Sequence, residues 1–287
     1  MFWQTTRFRI DLAKPRVMGI VNVTPDSFSD GGAHSTTAAA LAHCERLLAE
    51  GADILDIGGE SSRPGAAPLS ADDELQRVLP VLREALRLGV PVSVDTCKAP
   101  VMQAALDLGA DIVNDIQALR AEAALKLVAA HPNCGVCLMH MPGGPQSTQD
   151  APQYVDVVDE VATFLSARAA ALSARGVATE RIVLDPGIGF GKRPAHNLAL
   201  LSRQAELLAL GHPLLIGWSR KSTLGVLTGR GVQERLAASL AAALAAVQHG
   251  ASIVRVHDVA ATVDALKVWQ AAGLGPPQSG HNSFVPG

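Results

Sequence analysis

The sequence predicts an α/β fold, a single (β/α)8 TIM barrel, on three observations. Short β-rich runs alternate eight times with longer stretches of helical period, the order expected of a parallel sheet whose crossovers are helices. Hydrophobic residues make up 48% of the chain but aromatics only 3%, so Ala, Leu and Val dominate the core, as they do where helices pack around a buried parallel sheet. The tripeptide Gly-Ala-Asp recurs at Gly51–Asp53 and Gly109–Asp111, with an echo at Gly250–Ser252, and reads as helix stop, tight turn and strand start repeated around a barrel. A chain of 287 residues suffices for one such unit, and no linker or second domain is read.

Residues Phe2–Leu12 precede the first barrel strand and are expected to form an N-terminal hairpin covering the barrel floor. The eight strands fall at Val17–Val23, Asp53–Ile57, Pro91–Val94, Asp111–Asn114, Gly135–Met139, Arg181–Leu184, Pro213–Ile216 and Ser252–Val256. Between the second and third, Leu75, Val78, Leu79, Leu82 and Leu86 recur at helical intervals, with Ser70 as N-cap, Gly89 as stop and a kink expected at Pro80. The same period returns in Leu236, Leu240, Leu244 and Val247, and again in Val259, Val263, Leu266 and Trp269 after a capping Asp258. The tail from Gly275, rich in Pro, Gly and Ser, is expected to be disordered.

A net charge of −3 sets up no field that would gather nucleic acid or an anionic membrane, so an anionic ligand needs a local cluster of cations. Gln4, Arg7, Arg9 and Asp11 interrupt any signal-peptide core, and the longest apolar run, Leu236–Val247, contains Ser239 and is too short to span a bilayer. A soluble, cytoplasmic protein is therefore expected. Cys44, Cys97, Cys134 and Cys137 are too few and scattered for a disulfide framework. Cys134-Gly-Val-Cys137 has redox or zinc spacing, but it opens an apolar strand and has no second pair, so ordinary packing is the expectation.

In a β/α barrel the reacting groups sit at the carboxyl ends of the strands, so the residues that terminate each apolar run are the test. The runs end successively at Asn22, Asp56, Asp95, Asn114 with Asp115, His140, Asp185, Ser219 to Lys221, and Arg255 with His257. Any one of these residue types can cap a helix or close a turn. A ring of them is expected to face one cavity, because a closed barrel cannot bury so many polar groups without a ligand or one another. Two βα loops, Thr24–Gly32 and Gly58–Gly65, exceed the usual length, and Phe28 and Arg63 give their tips a stacking face and a charged fork suited to lids.

Taken together, eight segments resemble the dihydropteroate synthases, over a stretch from about Val17 to Trp269. They are Met18–Gly32, Asp56–Gly65, Ser93–Asp95, Asn114–Ile116, Leu138–Met141, the Leu184-Asp-Pro-Gly-Ile-Gly-Phe-Gly-Lys192 segment, Ser219–Lys221 and Arg255–Asp258. One position departs: Ser62 stands where many members have Thr, which keeps the hydroxyl and loses a methyl, so an altered p-aminobenzoate contact is expected.

The resemblance implies a transferase of folate biosynthesis that joins 6-hydroxymethyl-7,8-dihydropterin diphosphate to p-aminobenzoate and releases pyrophosphate. Mg2+ is the implied cofactor and a homodimer the implied assembly, with the Ala-rich Leu236–Val247 helix as a candidate interface. By that likeness Asp95, Asn114, Ile116, Met139, Asp185, Phe190, Gly217 and Lys221 bind the pterin. A carboxylate suits the place of Asp185, because the amino-pyrimidinone edge presents adjacent N–H donors and one carboxylate accepts two at once. Phe28, Ser62, Pro64 and Ser219 shape the p-aminobenzoate pocket, where sulfonamides would compete. Asn22, Ser61, Arg63, Arg255 and His257 hold the pyrophosphate, with the metal bound through Asn22. Asp30, Arg63, Lys221, Arg255 and His257 form the implied catalytic set, which stabilises the departing anion or the cationic pterin.

Three other readings compete. A pterin-dependent methyltransferase domain shares the barrel but needs neither the Ser-Ser-Arg-Pro loop nor the Arg255/His257 pair. A Schiff-base aldolase would use Lys221. A non-catalytic pterin-binding scaffold has no use for the leaving-group stabilisers Asn22, Asp30, Arg63, Arg255 and His257.

Overall fold

The computed structural model describes residues 1–24, 33–61, 68–143 and 153–274. Phe28, Asp30, Ser62, Arg63, Pro64 and the tail from Gly275 lie outside the described residues. Strands β1 (Phe2–Gln4) and β2 (Arg9–Asp11) pair antiparallel as a hairpin. The eight expected strands then follow, each within one residue of the bounds read from the sequence: β3 (Arg16–Asn22), β4 (Ile54–Gly58), β5 (Val92–Asp95), β6 (Ile112–Asp115), β7 (Gly135–Met139), β8 (Ile182–Asp185), β9 (Leu214–Ile216) and β10 (Ala251–Val256). All run parallel, each beside the next, and β10 pairs back onto β3 to close the barrel. Helices α1 (Ala33–Ala49), α2 (Ala71–Ala85), α3 (Ala99–Asp107), α4 (Glu122–Ala130), α5 (Val157–Ser173), α6 (Pro194–Ser202), α7 (Ser222–Thr228), α8 (Leu236–Gln248) and α9 (Val259–Ala271) lie in the crossovers and after the last strand.

Strand parity organises the interior. Successive residues of a strand point to opposite faces, so Met18, Ile54, Ile112, Cys137, Val183, Leu215 and Ile253 meet inside the barrel as one buried apolar cluster. Trp3, Ile10 and Leu12 of the hairpin segment join that cluster, which makes the hairpin a plug for the floor. Trp3 is fully buried, and its indole N–H donates to the Arg181 carbonyl at 3.0 Å, so its polar atom is satisfied. Arg7 fastens the hairpin from outside, with Nη2 2.6 Å from Oδ2 of Asp111. Two residues further along each strand, the inward positions become Asp56, Asp95, Asn114, Met139, Asp185 and Arg255. An apolar floor thus gives way to a polar mouth within one layer.

The Gly-Ala-Asp repeat has a definite physical content. Gly51, Gly109 and Gly250 take φ of +100°, +98° and +93°, which an L side chain resists. The aspartates then accept the N–H of a neighbouring strand's first residues: Asp53 from Val17 at 2.8 Å and Asp111 from Val92 at 2.9 Å. Ser70 caps α2 by accepting from Asp73 N–H at 3.1 Å, the helix runs through Pro80, and the following 3-10 turn stops at Gly89 with φ +75°. Asp258 stands at the N-cap position of α9, but its side chain makes no capping hydrogen bond. Its carboxylate is taken instead by Arg220, whose Nε and Nη2 lie 3.0 and 2.5 Å away. Cys134 and Cys137 are buried free thiols; Cys134 packs on Arg181, whose Nη2 is 3.3 Å from its sulfur. Among the described residues no helix is long and apolar enough to cross a membrane.

Candidate active site

The mouth of the barrel is built around one buried carboxylate. Asp56, completely buried on β4, receives Arg255 Nε at 2.5 Å and Asn114 Nδ2 at 3.1 Å, both on its Oδ2. The second arm of Arg255, Nη2, reaches Asp95 Oδ2 at 2.7 Å. Residues from β4, β5, β6 and β10 are thereby joined across the cavity by three hydrogen bonds. Oδ1 of Asp56 has no hydrogen-bond partner among the described residues, nor does Oγ of Ser93, its register partner on β5. Unmet polar atoms inside a barrel are costly in the free protein and are what a polar ligand or a water would satisfy. Burial raises the Asp95 carboxyl to about 7, against the pull of Arg255 and with a push from Asp56.

On the opposite wall, Asp185 ends β8 and accepts the Gly187 N–H on Oδ1 at 2.7 Å. Burial raises its pKa, while that hydrogen bond and the charges of Lys221, Lys192 and Arg255 lower it. The amine of Lys221 stands 4.1 Å from the centroid of the Phe190 ring, a cation over a π face. Burial brings Lys221 down to about 8, with Asp185 opposing that shift. Gly189 must lack a side chain there, since a Cβ would come 3.0 Å from Lys221 Cδ on a backbone with φ +81°. Ile116 follows β6 half-buried, and Met139 ends β7 buried, opposite Asp185 in register. Gly217 follows β9 with open space where a Cβ would stand.

His257 completes this end of the barrel. Its ring Nδ1 lies 3.0 Å from Ser219 Oγ, and its backbone N–H donates to the same oxygen at 3.1 Å, so Ser219 is committed to His257. Burial first, then Arg220 and Arg255, push the imidazole down to about 3 and keep it neutral. Asn22 is the last residue of β3, half-buried and in register with Gly58, and Ser61 is half-buried just beyond β4.

Three residues of the expected ring do not join it, the first being Arg220, whose guanidinium is taken by Asp258. Asp115 falls one position after the inward Asn114 and so points outward, where it accepts the N–H groups of Gln117 and Leu119, each at 2.7 Å, and shapes a turn holding Ala118 and Leu119 at φ +52° and +53°. His140 follows the inward Met139 and turns the same way, its ring edge-on to Phe164 of α5 with centroids 5.0 Å apart. Sequence reasoning missed two lysines. Lys98 bridges Glu60, at the base of the second long loop, and the fully buried Glu74 of α2, 2.6 Å away. Lys192 packs beneath the loop that carries Phe190. A signal existed for the second, as the final residue of the glycine-rich segment after β8; the first lies 24 residues from its buried partner, with no local pattern to reveal it.

Among the described residues no group of three or more His, Cys, Asp or Glu gathers as a metal cluster. The family profile described as "Pterin binding enzyme" matches residues 18–257. The chain is 57% identical over 278 residues to the dihydropteroate synthase of Neisseria meningitidis serogroup B, covering 95% of this chain and 98% of that protein. A structure of Xanthomonas albilineans dihydropteroate synthase with 4-aminobenzoic acid superposes with a TM-score of 0.89 at 51% identity, over 96% of this chain and 100% of that one. Burkholderia cenocepacia dihydropteroate synthase complexed with 7,8-dihydropteroate gives 0.86 at 50% identity, over 95% and 96%.

Proposed function

The chain belongs to the dihydropteroate synthases, within the pterin-binding enzymes, and from that premise we propose that it joins 6-hydroxymethyl-7,8-dihydropterin diphosphate to p-aminobenzoate, forming 7,8-dihydropteroate and pyrophosphate in folate biosynthesis. The observation that carries this reading is the polar mouth itself: Asp56, Asp95, Asn114, Asp185, Lys221 and Arg255 converge where an amino-pyrimidinone ring needs donors and acceptors on several edges. Asp185 accepts from the amino edge, Asn114 and Asp95 complete the ring's hydrogen bonds, and Lys221 donates to its acceptors. Ile116, Met139 and Phe190 supply apolar walls, with Gly217 leaving room.

In the reaction the bond from the pterin methylene carbon to the diphosphate oxygen breaks with its electron pair on oxygen. The aryl amine then forms the new C–N bond and sheds a proton to solvent or to the departing anion. The task of the protein is electrostatic. Arg255 and His257, with Ser61 and Arg63, hold the anion as its charge grows, while Asp30 and the pterin-site carboxylates oppose the cationic pterin. Arg255 is already braced by Asp56 and Asp95, so it is oriented before the anion arrives. His257 enters neutral and donates through one ring nitrogen while Ser219 fixes the other. Phe28, Ser62, Pro64 and Ser219 bound the p-aminobenzoate pocket, which sulfonamides share.

Asn22 fits a Mg2+ role: a half-buried amide at a strand end offers one hard oxygen, and this ion keeps several waters and leans on substrate phosphates. When bound there, the metal would draw charge from the diphosphate. We also propose a cytoplasmic homodimer, formed through the face on which Val226, Leu227, Val232 and Leu236 are exposed by 42% or more around α7 and the start of α8. The test of the activity is a pyrophosphate assay. Release is expected only when the pterin diphosphate, p-aminobenzoate and Mg2+ are all present; pterin binding without release would identify a scaffold, and no pterin binding at all would refute the reading.

A further inference from the structure

Lys192 closes the glycine-rich segment after β8, and its side chain turns back beneath that segment. Nζ lies 2.9 Å from the Gly187 carbonyl, 3.0 Å from His140 Nδ1, 3.1 Å from the Phe190 carbonyl and 3.3 Å from the His140 carbonyl. An ammonium has three donors for these four acceptors, whereas a neutral amine would turn its lone pair on one of them. His140 Nδ1 must then accept, which puts the ring proton on Nε2. Burial, Lys192 and Arg120 hold that imidazole neutral, at about 3.

The acceptors belong to two different pieces of chain, the end of β7 and the loop after β8. The loop has three glycines at positive φ, Gly187 at +70°, Gly189 at +81° and Gly191 at +56°, a backbone with little stiffness of its own. It also lies hard against its neighbour, since a Cβ on Gly187 would stand 2.0 Å from the His140 carbonyl oxygen and one on Gly191 2.3 Å from Pro142 Cγ. Tyr154 adds a second tie from outside, donating its hydroxyl to the Gly191 carbonyl at 3.1 Å. This loop presents Phe190 beneath Lys221, and its Gly187 N–H fixes one oxygen of Asp185.

We propose that Lys192 is a positioning residue for the pterin pocket, its ammonium tying the loop after β8 to the end of β7 and so setting where Asp185 and Phe190 stand against the pterin. This rests on the pterin reading above. The charged and titratable groups facing the amine are His140 from β7, Asp185 from β8 and Lys221 from the segment after β9, with Tyr154 and His196 stacked beyond the His140 ring. Burial lowers Lys192 to about 7, Asp185 holding it up and Lys221 pushing it further down, so the tie loosens as pH rises through neutrality.

The experiment measures calorimetric binding of 6-hydroxymethylpterin, which carries no diphosphate, to the wild-type protein, Lys192→Met and Lys192→Arg, alongside the KM for p-aminobenzoate. Lys192→Met is expected to weaken pterin binding by about tenfold or more and to move that KM by less than about threefold, a split that general loosening of the fold would not produce. Wild-type pterin affinity is expected to change between about pH 6.5 and 8.5; Lys192→Arg, a cation throughout, should lose the part of that change that belongs to Lys192 and keep the parts that belong to Asp95 and Lys221. A natively folded Lys192→Met that binds pterin within about twofold of wild type would overturn the proposal. If that variant does not fold, Lys192→Ala is measured in its place, and pterin affinity within about twofold of wild type overturns the proposal equally. Failure of the wild-type protein to bind pterin at all would instead sink the function on which it rests.

Discussion

The Gly187 N–H occupies one oxygen of Asp185 at 2.7 Å, and that decides what an asparagine would do there. Its carbonyl would stay on the backbone donor and its amide would point into the pocket, donor against the donors of the pterin edge. Asp185→Asn is therefore expected to lower kcat/KM by about 30- to 1000-fold, roughly 2–4 kcal/mol of transition-state stabilisation. Near-normal efficiency in steady-state kinetics would contradict the assignment of that edge. Most residues of the site were legible because residue type at a strand end carries information: Asp95, Asn114, Asp185 and Arg255 all face inward as the ring requires. Asp115 and His140 were misplaced because every residue of β6 and β7 is buried, inward and outward alike, so no polar alternation marks parity. The N-cap position of Asp258 is legible, but not that its carboxylate is drawn away by Arg220, which lies 38 residues away on a left-handed turn at φ +59°.

Elements are where sequence and structure agree best, since apolar runs bounded by glycine and proline fix strands however they later pack. The hairpin is the informative case. Phe2–Leu12 reads as a hairpin over the barrel floor, and it is one; what its sequence does not reveal is that Trp3 fills that floor, where a Cβ on Gly135 would come 3.0 Å from its indole nitrogen. Trp3→Ala should cost about 3–5 kcal/mol in urea unfolding, from lost transfer energy plus the cavity left behind. KM values measured well below the midpoint should stay within about twofold, because floor and mouth are separated by the apolar layer. The loop after β8 should behave in the opposite way. Gly187→Ala places a methyl against the His140 carbonyl at a φ that favours glycine, so the loop must move. Stability is expected to fall by about 1–3 kcal/mol, and pterin affinity with it, in calorimetry and denaturation run on the same preparation. Unchanged pterin affinity would mean that the loop does not set the pocket.

At the scale of the whole molecule the mouth concentrates buried ionisable groups, and their shifts make stability depend on pH in a definite sense. Lys192 and Lys221 are held at about 7 and about 8, below the ordinary lysine value of 10.5. In the unfolded chain they keep their protons to much higher pH, so between about pH 7 and 10 the unfolded state binds more protons and stability rises with pH. Asp95 acts in the other direction: raised to about 7, it stabilises the fold below that value and has lost its contribution by about pH 8. Burial pushes all four cysteines up, Cys44 and Cys97 to about 12, so they begin to oppose the lysines as the pH nears the ordinary thiol value of 9.0. The lysines therefore dominate between about pH 8 and 9, where the denaturant midpoint is expected to rise, and to rise less steeply in Lys192→Met, which keeps only the contribution of Lys221. Pterin affinity is expected to fall over much of the same interval, because the ammonium that costs stability when buried is the one that ties the pocket together. A midpoint that is flat or falling from pH 8 to 9, or a slope unaltered in Lys192→Met, would show that these amines stay protonated in the folded protein and that the mouth is better solvated than its burial implies.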